Sequence, residues 1–198
     1  MLLYNSQVSG NCYKVRLLFA HLGIAYEREE LSVVDRSNRP AVLGGLNPAL
    51  RVPTLVLDDG RVLAESNAII HYFAQGTEYL PEDRFEQAKV LQWLFFEQYD
   101  HEPYIANVRF WVCFSTSPPP AQEIEARRAG GYRALDALER ALTERDFLVG
   151  DRYTIADIAL YAYTHVANEG GFDLDGYPAI GAWLARVASQ RGHVPISA

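Results

Sequence analysis

The chain has 198 residues, which is enough for one large or two compact domains, and 49% of its residues are hydrophobic. Acidic and basic residues are mixed along it and give a formal net charge of −7, which argues against a nucleic-acid-binding surface. No apolar stretch approaches the length needed to span a membrane, so we predict a soluble globular protein.

The first thirty residues alternate between strand and helix patterns. A short apolar run at 2–4 predicts a buried strand. Apolar residues at helical spacing predict a helix over 11–22, which Gly23 ends as a C-cap. Residues 24–31 carry several charges and predict a strand at the edge of a sheet.

A hairpin and a further helix follow. Residues 32–50 predict an irregular segment with one helical turn. Strand patterns at 54–57 and 61–63 flank Asp59-Gly60, and Asp-Gly is a strong hairpin signal because glycine adopts positive φ. Residues 67–74 have helical periodicity. The predicted order is βαβαββα, with helices covering a small mixed sheet.

From residue 84 onward the sequence shows helical patterns and no strand. These patterns cover 85–114, 121–144, 155–166 and 177–190. Pro103 predicts a kink in the first helix, because proline lacks the N–H of the helical ladder. We therefore predict an α+β protein with a thioredoxin-like α/β domain at 1–77 and an all-α domain at 84–198; the likeness to thioredoxin is implied by the family resemblance described below.

Two local signals in the helical part point to structure rather than chemistry. Gly130-Gly131 weakens the middle of a helix and marks either close packing or a bend. The segment Thr154-Ile-Ala-Asp157 is a capping box, which starts a helix, and we assign it no catalytic role.

Cysteine usage bears on compartment and metal content. Cys12 and Cys113 are far apart, and neither belongs to a C-x-x-C motif or to a cluster with zinc spacing. The N-terminal segment becomes polar too early for a signal peptide. We predict a cytoplasmic protein without a metal site.

Val52-Pro53 stands directly before a predicted strand. Proline is the one residue for which a cis peptide bond is cheap. A cis bond would turn the N–H and C=O of Val52 outward, where an extended peptide could pair with them. An ordinary trans turn that opens the hairpin is the alternative.

Glu65-Ser66 joins a predicted strand to a helix. Ser66 lies where the free amides of the helix point outward and favour a carboxylate, and Glu65 beside it can hold an ammonium group. The pair therefore suits the α-carboxylate and α-amine of one amino acid. Simple capping of the helix is the alternative.

Ser9 lies in the loop that opens the first helix. Lowering a thiol pKa by about two units from ~8.5 takes roughly 2.7 kcal/mol. A helix N-terminus supplies about 0.3–1 kcal/mol and a hydrogen bond to a charged acceptor about 1.5–3 kcal/mol, so only their combination suffices. Ser9 could instead be a plain N-cap.

Two other residues near these motifs each have two interpretations. Cys12 is either a redox thiol or a packing group, and Arg51 is either a carboxylate ligand or a solvated side chain.

Together these motifs resemble the cytosolic glutathione S-transferases over essentially the whole chain. Residues 9–18 (SGNCYKVRLL) resemble that family's catalytic loop and first helix, and 46–48 (LNP) with 51–55 (RVPTL) resemble its glutathione-backbone segment. Residues 65–69 (ESNAI) resemble its γ-glutamyl site, and 147–157 its C-terminal capping motif.

The resemblance implies how glutathione, as co-substrate, is held by a homodimer. Pro53 would be cis and Val52 would pair with the cysteinyl backbone. Glu65 and Ser66 would hold the γ-glutamyl end, and Arg51 would lie near the glycyl carboxylate.

The resemblance also implies a serine-type enzyme, theta-like or bacterial, with a role in detoxification. Ser9 would donate to the glutathione sulfur and Asn11 would support the loop. The thiolate would attack an electrophilic, apolar co-substrate. Candidate residues of the co-substrate pocket come from the long kinked helix: Tyr99, Tyr104, Val108 and Trp111.

Two other functions stay open. One alternative is a glutathione-dependent disulfide oxidoreductase or peroxidase, because the resemblance includes bacterial relatives with a Ser or Thr loop that reduce disulfides through bound glutathione. Ser9-x-x-Cys12 resembles a C-x-x-C whose nucleophilic cysteine has become serine, which argues against a protein mixed disulfide at that position. A non-catalytic glutathione-fold binding module is the other.

Overall fold

The computed structural model describes residues 1–198, which form two compact units. The first unit comprises residues 1–75 and 191–198, and the second comprises 76–190. Residues 191–198, which the predicted second domain included, belong to the first unit. Tyr13 Oη donates to the carbonyl of Val194 at 2.7 Å, and Arg16 Nη2 donates to that of Ile196 at 2.7 Å, which holds this segment on the first unit.

The first unit has the predicted βαβαββα order. Its elements are β1 (Leu2–Asn5), α1 (Gly10–Leu22), β2 (Glu27–Glu30), α2 (Arg39–Leu43), β3 (Thr54–Val56), β4 (Val62–Ala64) and α3 (Ser66–Ala74). The four strands form one sheet in the order β2-β1-β3-β4. β1 runs parallel to β2 and antiparallel to β3, and β3 and β4 form the antiparallel hairpin. This is the mixed sheet of a thioredoxin-like domain, with β2 at the edge as predicted.

Local sequence explains where α1 begins and ends. Ser9 is its N-cap, and Gly23 ends it with φ of 64°, in the left-handed region that favours glycine. Leu17, Leu18 and Phe19 are fully buried and fix the helix to the rest of the unit. The loop from β1 to α1 therefore presents Ser9 from a rigid helix end.

The second unit is helical. Its elements are α4 (Arg84–Phe96), a π-helical turn (Glu97–His101), α5 (Glu102–Cys113), α6 (Ala121–Leu142), α7 (Ile155–Thr164), a 3₁₀ turn (Ala167–Gly170) and α8 (Pro178–Ala188). An isolated β-bridge joins Val149 to Arg152. The predicted interruption before Pro103 is a wide π turn, because the ring cannot supply the N–H that would bond Tyr99. None of the helices is long and apolar enough to cross a membrane.

The glycine pair in α6 permits close packing. A Cβ on Gly130 would lie 2.2 Å from Tyr104 Cδ1, and a Cβ on Gly131 would lie 2.5 Å from Phe172 Cε1. Since side chains cannot approach so closely, the glycines let two aromatic rings lie directly on the helix.

The capping box at the start of α7 has the predicted structural role. Asp157 is fully buried and accepts from the backbone N–H groups of Leu148 and Thr154 and from Trp183 Nε1. It joins a loop and two helices of the core.

Candidate functional site

Ser9 combines a capping role with an available hydroxyl proton. It is half-buried, its backbone is extended, and its Oγ accepts the N–H of Cys12 at 3.3 Å. That bond occupies a lone pair and leaves the hydroxyl proton for another acceptor. The site can therefore donate one hydrogen bond at the positive end of α1.

Cys12 is a packing group. It has no exposed surface, and its Sγ accepts the N–H of Ser6 at 3.3 Å. Burial raises the pKa of the Cys12 thiol to about 11. A neutral, buried thiol cannot act as the nucleophile of a redox motif.

Buried polar side chains hold the turn before Pro53. The Val52–Pro53 bond is cis, as the resemblance implied. The carbonyl of Arg51 accepts from Asn47 Nδ2 at 3.1 Å and from Thr54 Oγ1 at 2.8 Å, and Asn47 Nδ2 also donates to Thr54 Oγ1 at 2.9 Å. This network fixes Arg51 and Thr54, which flank the Val52–Pro53 pair, and does not involve the backbone groups of Val52.

Arg39 closes the irregular segment that leads to this turn. Its guanidinium is buried, and it donates to the carbonyls of Leu50 at 3.0 Å and Ser32 at 2.9 Å. Leu50 has φ of 53°, a conformation that costs a non-glycine residue about 1–2 kcal/mol. The side chain of Arg51, the next residue, is exposed.

The start of α3 shows a second strained residue. Glu65 is exposed and has φ of 66°, and Leu50 and Glu65 are the two non-glycine residues of the chain with positive φ. Ser66 follows with a buried side chain whose Oγ donates to Asn11 Oδ1 at 3.2 Å. Backbone strain of this kind clusters at ligand sites. The structure thus joins Asn11 of α1 to Ser66 of α3 within the first unit.

Lys14 is a further member of this cluster that the sequence patterns did not indicate. Its side chain has no exposed surface, and its Nζ donates to Ser66 Oγ at 3.3 Å and to Asn67 Oδ1 at 3.2 Å. No local signal marks it, because its partners are 52 and 53 residues away in sequence.

The four candidate pocket residues of the second unit have different surroundings. Arg127 lies over the rings of Tyr104 and Trp111, at 5.5 and 5.6 Å from their centroids, so these two share one cation. Val108 has no exposed surface, so in this structure its side chain contacts only other protein groups. Tyr99 is 81% exposed and lines a groove with Gln92, Phe95 and Phe96.

Metal-ligating side chains are not clustered. No group of three or more His, Cys, Asp or Glu residues is arranged to hold a metal ion. The chemistry available at the site is that of hydroxyl, amide, ammonium and helix-end donors, all of which suit an anion.

The chain is similar to known proteins in sequence and in fold. A model of the glutathione S-transferase N-terminal domain matches residues 8–75, and one of the C-terminal domain matches residues 101–191. A glutathione S-transferase from Pseudomonas fluorescens Pf-5 has 46% identity and a TM-score of 0.92, over 98% of both chains. Glutathione S-transferase 2 of Anopheles gambiae is 28% identical over 93% of this chain and 88% of that protein.

A third relative was solved with a glutathione derivative. Ure2p in complex with S-hexylglutathione has 25% identity and a TM-score of 0.85, over 96% of this chain and 95% of that one. The N-terminal family model lies in the first unit and the C-terminal model covers most of the second, whereas the match to the Pseudomonas fluorescens enzyme extends over both. The chain belongs to the glutathione S-transferase family.

Proposed function

We propose that Ser9 activates the thiol of bound glutathione for attack on an electrophilic, apolar co-substrate. The observation that carries this role is the bond from the Cys12 N–H to Ser9 Oγ, because it orients the hydroxyl proton away from the helix. Donation to the sulfur favours the thiolate, and the N-terminus of α1 adds to the effect.

The reaction is a substitution or an addition at carbon. The thiolate sulfur forms a bond to the electrophilic carbon, and the electron pair of the broken bond leaves with the leaving group or moves along the co-substrate. The protein contributes a lower thiol pKa and proximity of the two reactants.

The remaining glutathione contacts follow the same scheme. Val52 pairs with the cysteinyl backbone, and Pro53 sets the turn that exposes it. Glu65 and Ser66 hold the γ-glutamyl group, Asn11 supports Ser66, and Arg51 meets the glycyl carboxylate. Support comes from Ure2p, which binds S-hexylglutathione in the same fold, and from the bond between Ser66 and Asn11.

For the co-substrate we propose Tyr104 and Trp111 as contacts. Both rings are partly exposed and are bridged by Arg127, so they offer apolar faces beside a cation. An apolar electrophile that develops negative charge as sulfur attacks suits such a pair.

We further propose a homodimer that forms through the aromatic groove of α4 and the π turn. Phe95 and Tyr99 are 71% and 81% exposed there, and large exposed aromatic groups mark association surfaces. We expect wild type to sediment as a dimer and the Phe95→Glu variant to sediment as a monomer. Phe85→Glu, exposed on the same helix but outside the groove, should leave the dimer intact. A monomeric wild type would contradict this interface.

A cytoplasmic location and a detoxifying role complete the proposal. Cys12 and Cys113 are both free thiols, which suits a reducing compartment. The burial of Cys12 weighs against a mixed disulfide at that residue.

The experiment that tests the function is an ultraviolet titration of bound glutathione thiolate. In wild type we expect a thiol pKa about two units below that of free glutathione, and in Ser9→Ala a value close to the free one. Ser9→Thr keeps the hydroxyl and should keep the shift. An unshifted thiol in wild type would overturn the role of Ser9 and favour a binding module.

A further inference from the structure

The segment 191–198 contacts the loop between β1 and α1 that carries Ser9. The carbonyl of Ile196 accepts from Gln7 Nε2 at 2.8 Å and from Arg16 Nη2 at 2.7 Å. Gln7 belongs to the loop and Arg16 to α1. A carbonyl oxygen has two lone pairs, so these two donors use both of them. One backbone group of the segment thus joins the loop to the helix that follows it.

Arg16 extends this contact to the turn that leads to Ser9. Its Nη1 donates to Asn5 Oδ1 at 2.7 Å and to the Ser6 carbonyl at 3.4 Å, and its Nη2 also donates to the Gln7 carbonyl at 3.0 Å. The Ser6 carbonyl also accepts the N–H of Ser9, at 3.0 Å. Because one carbonyl meets both groups, the position of the guanidinium and that of the Ser9 backbone are linked.

The four bonds of Arg16 need the shape of a guanidinium. Each terminal nitrogen of an arginine carries two N–H groups, and all four N–H groups have acceptors here. Hydrogen bonds would satisfy a buried charge at any position on the helix. What distinguishes Arg16 is that three of its acceptors belong to consecutive residues, 5–7, and the fourth belongs to the segment 191–198.

Anchors on both sides fix the Ile196 carbonyl. Tyr13 Oη donates to the Val194 carbonyl at 2.7 Å, and Arg28 Nη1 donates to the Ala198 carbonyl at 2.9 Å. These donors lie on α1 and β2, away from the loop. The acceptor is therefore held in place independently of the loop that it supports.

We propose that Arg16 is a positioning residue for Ser9 and that the segment 191–198 is the support through which it acts, an inference that rests on the proposed function. Arg16 does not touch glutathione. It holds the Ser6 carbonyl, which fixes the Ser9 backbone and so the direction from which the hydroxyl meets the sulfur. A hydrogen bond weakens steeply when it is misaligned, so a loop held less firmly stabilises the thiolate less.

The test is an ultraviolet titration of bound glutathione thiolate in Arg16→Lys, which keeps the charge but carries its three donors on one atom. We expect the pKa of the bound thiol to rise by about one unit, half of the shift attributed to Ser9. The kcat should fall about fivefold at about pH 6.5 and approach the wild-type value at about pH 8.5, because the thiolate then forms in both proteins. The KM for glutathione should stay within about twofold of wild type, since no contact with the ligand is lost.

Gln7→Leu tests the segment 191–198 separately. It removes the side-chain donor to Ile196 and keeps the backbone carbonyl that meets Arg16. We expect the thiol pKa to rise by about half a unit. The double variant with Arg16→Lys should have the same thiol pKa as Arg16→Lys, because both changes act on one path. Additive shifts would overturn the role of the segment.

Val56→Ala is the matched control for lost stability. Val56 is half-buried and pairs with Leu2, at the end of β1 that lies away from the loop. The variant loses packing in the same unit and should keep the thiol pKa and the kcat of wild type. If it shifts the thiol pKa as much as Arg16→Lys does, the effect comes from general loosening and the inference fails.

The contrary outcomes separate this inference from the proposed function. If Arg16→Lys keeps the wild-type thiol pKa, or changes only the KM, Arg16 merely supports the fold and the inference fails. If the thiol is unshifted in wild type, the proposed function itself fails. Should Arg16→Lys not fold, Gln7→Leu decides, and an unchanged thiol pKa in that variant would overturn the inference.

Discussion

The hydroxyl oxygen of Ser9 accepts the backbone N–H of Cys12 at 3.3 Å, so one side chain caps helix α1 and presents a proton to the site. The two roles separate in variants of Ser9. Ser9→Ala should lose about 1 kcal/mol of stability with the cap and about tenfold to a hundredfold in kcat/KM with the donor. Ser9→Asp restores the cap but sets a negative charge against the thiolate. It should be as stable as wild type in urea unfolding and as inactive as Ser9→Ala; an active Ser9→Asp would contradict the mechanism.

The two thiols should differ in reactivity. Cys113 is exposed, whereas Cys12 is fully buried. We expect one thiol per chain to react with a disulfide reagent in the native protein and two in denaturant. Cys113→Ser should abolish the native reaction and Cys12→Ala should leave it unchanged. Fast modification of Cys12 in the native protein would contradict this expectation and favour a disulfide oxidoreductase or peroxidase.

Burial of Cys12 also predicts a loss of stability in alkali. Its pKa is raised from 9.0 to about 11 by burial. The unfolded chain therefore loses this proton first, and the contribution is full below about pH 9 and lost as pH approaches about 11. The loss amounts to about 3 kcal/mol. Urea unfolding from pH 8 to pH 11 in wild type and Cys12→Ala measures it: the variant should have the shallower slope, and equal slopes would contradict the assignment.

Thr54→Val tests the turn that precedes the cis bond. Valine keeps the shape but removes the donor to the Arg51 carbonyl and the acceptor of Asn47. We expect a loss of about 1–3 kcal/mol in stability and a higher KM for glutathione with little change in kcat. In Thr143→Val the lost hydroxyl donates to the Glu139 carbonyl in an exposed bond at the end of α6, so this variant should alter neither KM nor kcat. A change in kcat without a change in KM would contradict a role of this turn in glutathione binding.

Glycines in helices should respond in opposite directions to alanine. In Gly131→Ala the new Cβ meets the buried ring of Phe172, and we expect a net loss of about 1–3 kcal/mol. In Gly181→Ala, on α8, the Cβ meets no atom within 4 Å, so the higher helix propensity should stabilise the protein by about 0.5–1 kcal/mol. Thermal unfolding measures both, and a stable Gly131→Ala would mean that the ring can move.

Local patterns predicted much of the first unit. Three features depend only on residues that are neighbours in sequence, so local patterns predict them. They are the hairpin, the C-cap of α1 at Gly23 and the end of the irregular segment. The Glu65-Ser66 junction also lies at a helix start, as predicted.

Long-range partners were beyond such patterns. Lys14 stands beside Val15 in a helix and looks like a solvated lysine, since its contacts with α3 depend on the tertiary fold. Val108 had the spacing of a pocket residue, but packing covers it completely. The spacing of apolar residues along a helix does not show whether the helix is buried on both sides.

The hydrogen bonds from Tyr13 and Arg16 to residues 194 and 196 have a consequence for synthesis. The ribosome makes the helix that carries these donors long before it makes residues 194 and 196, which carry the acceptors. The loop that bears Ser9 therefore acquires its full set of supports only after the intervening helical unit has been translated. The first unit is the first to begin folding and cannot be completed until residues 191–198 have been made.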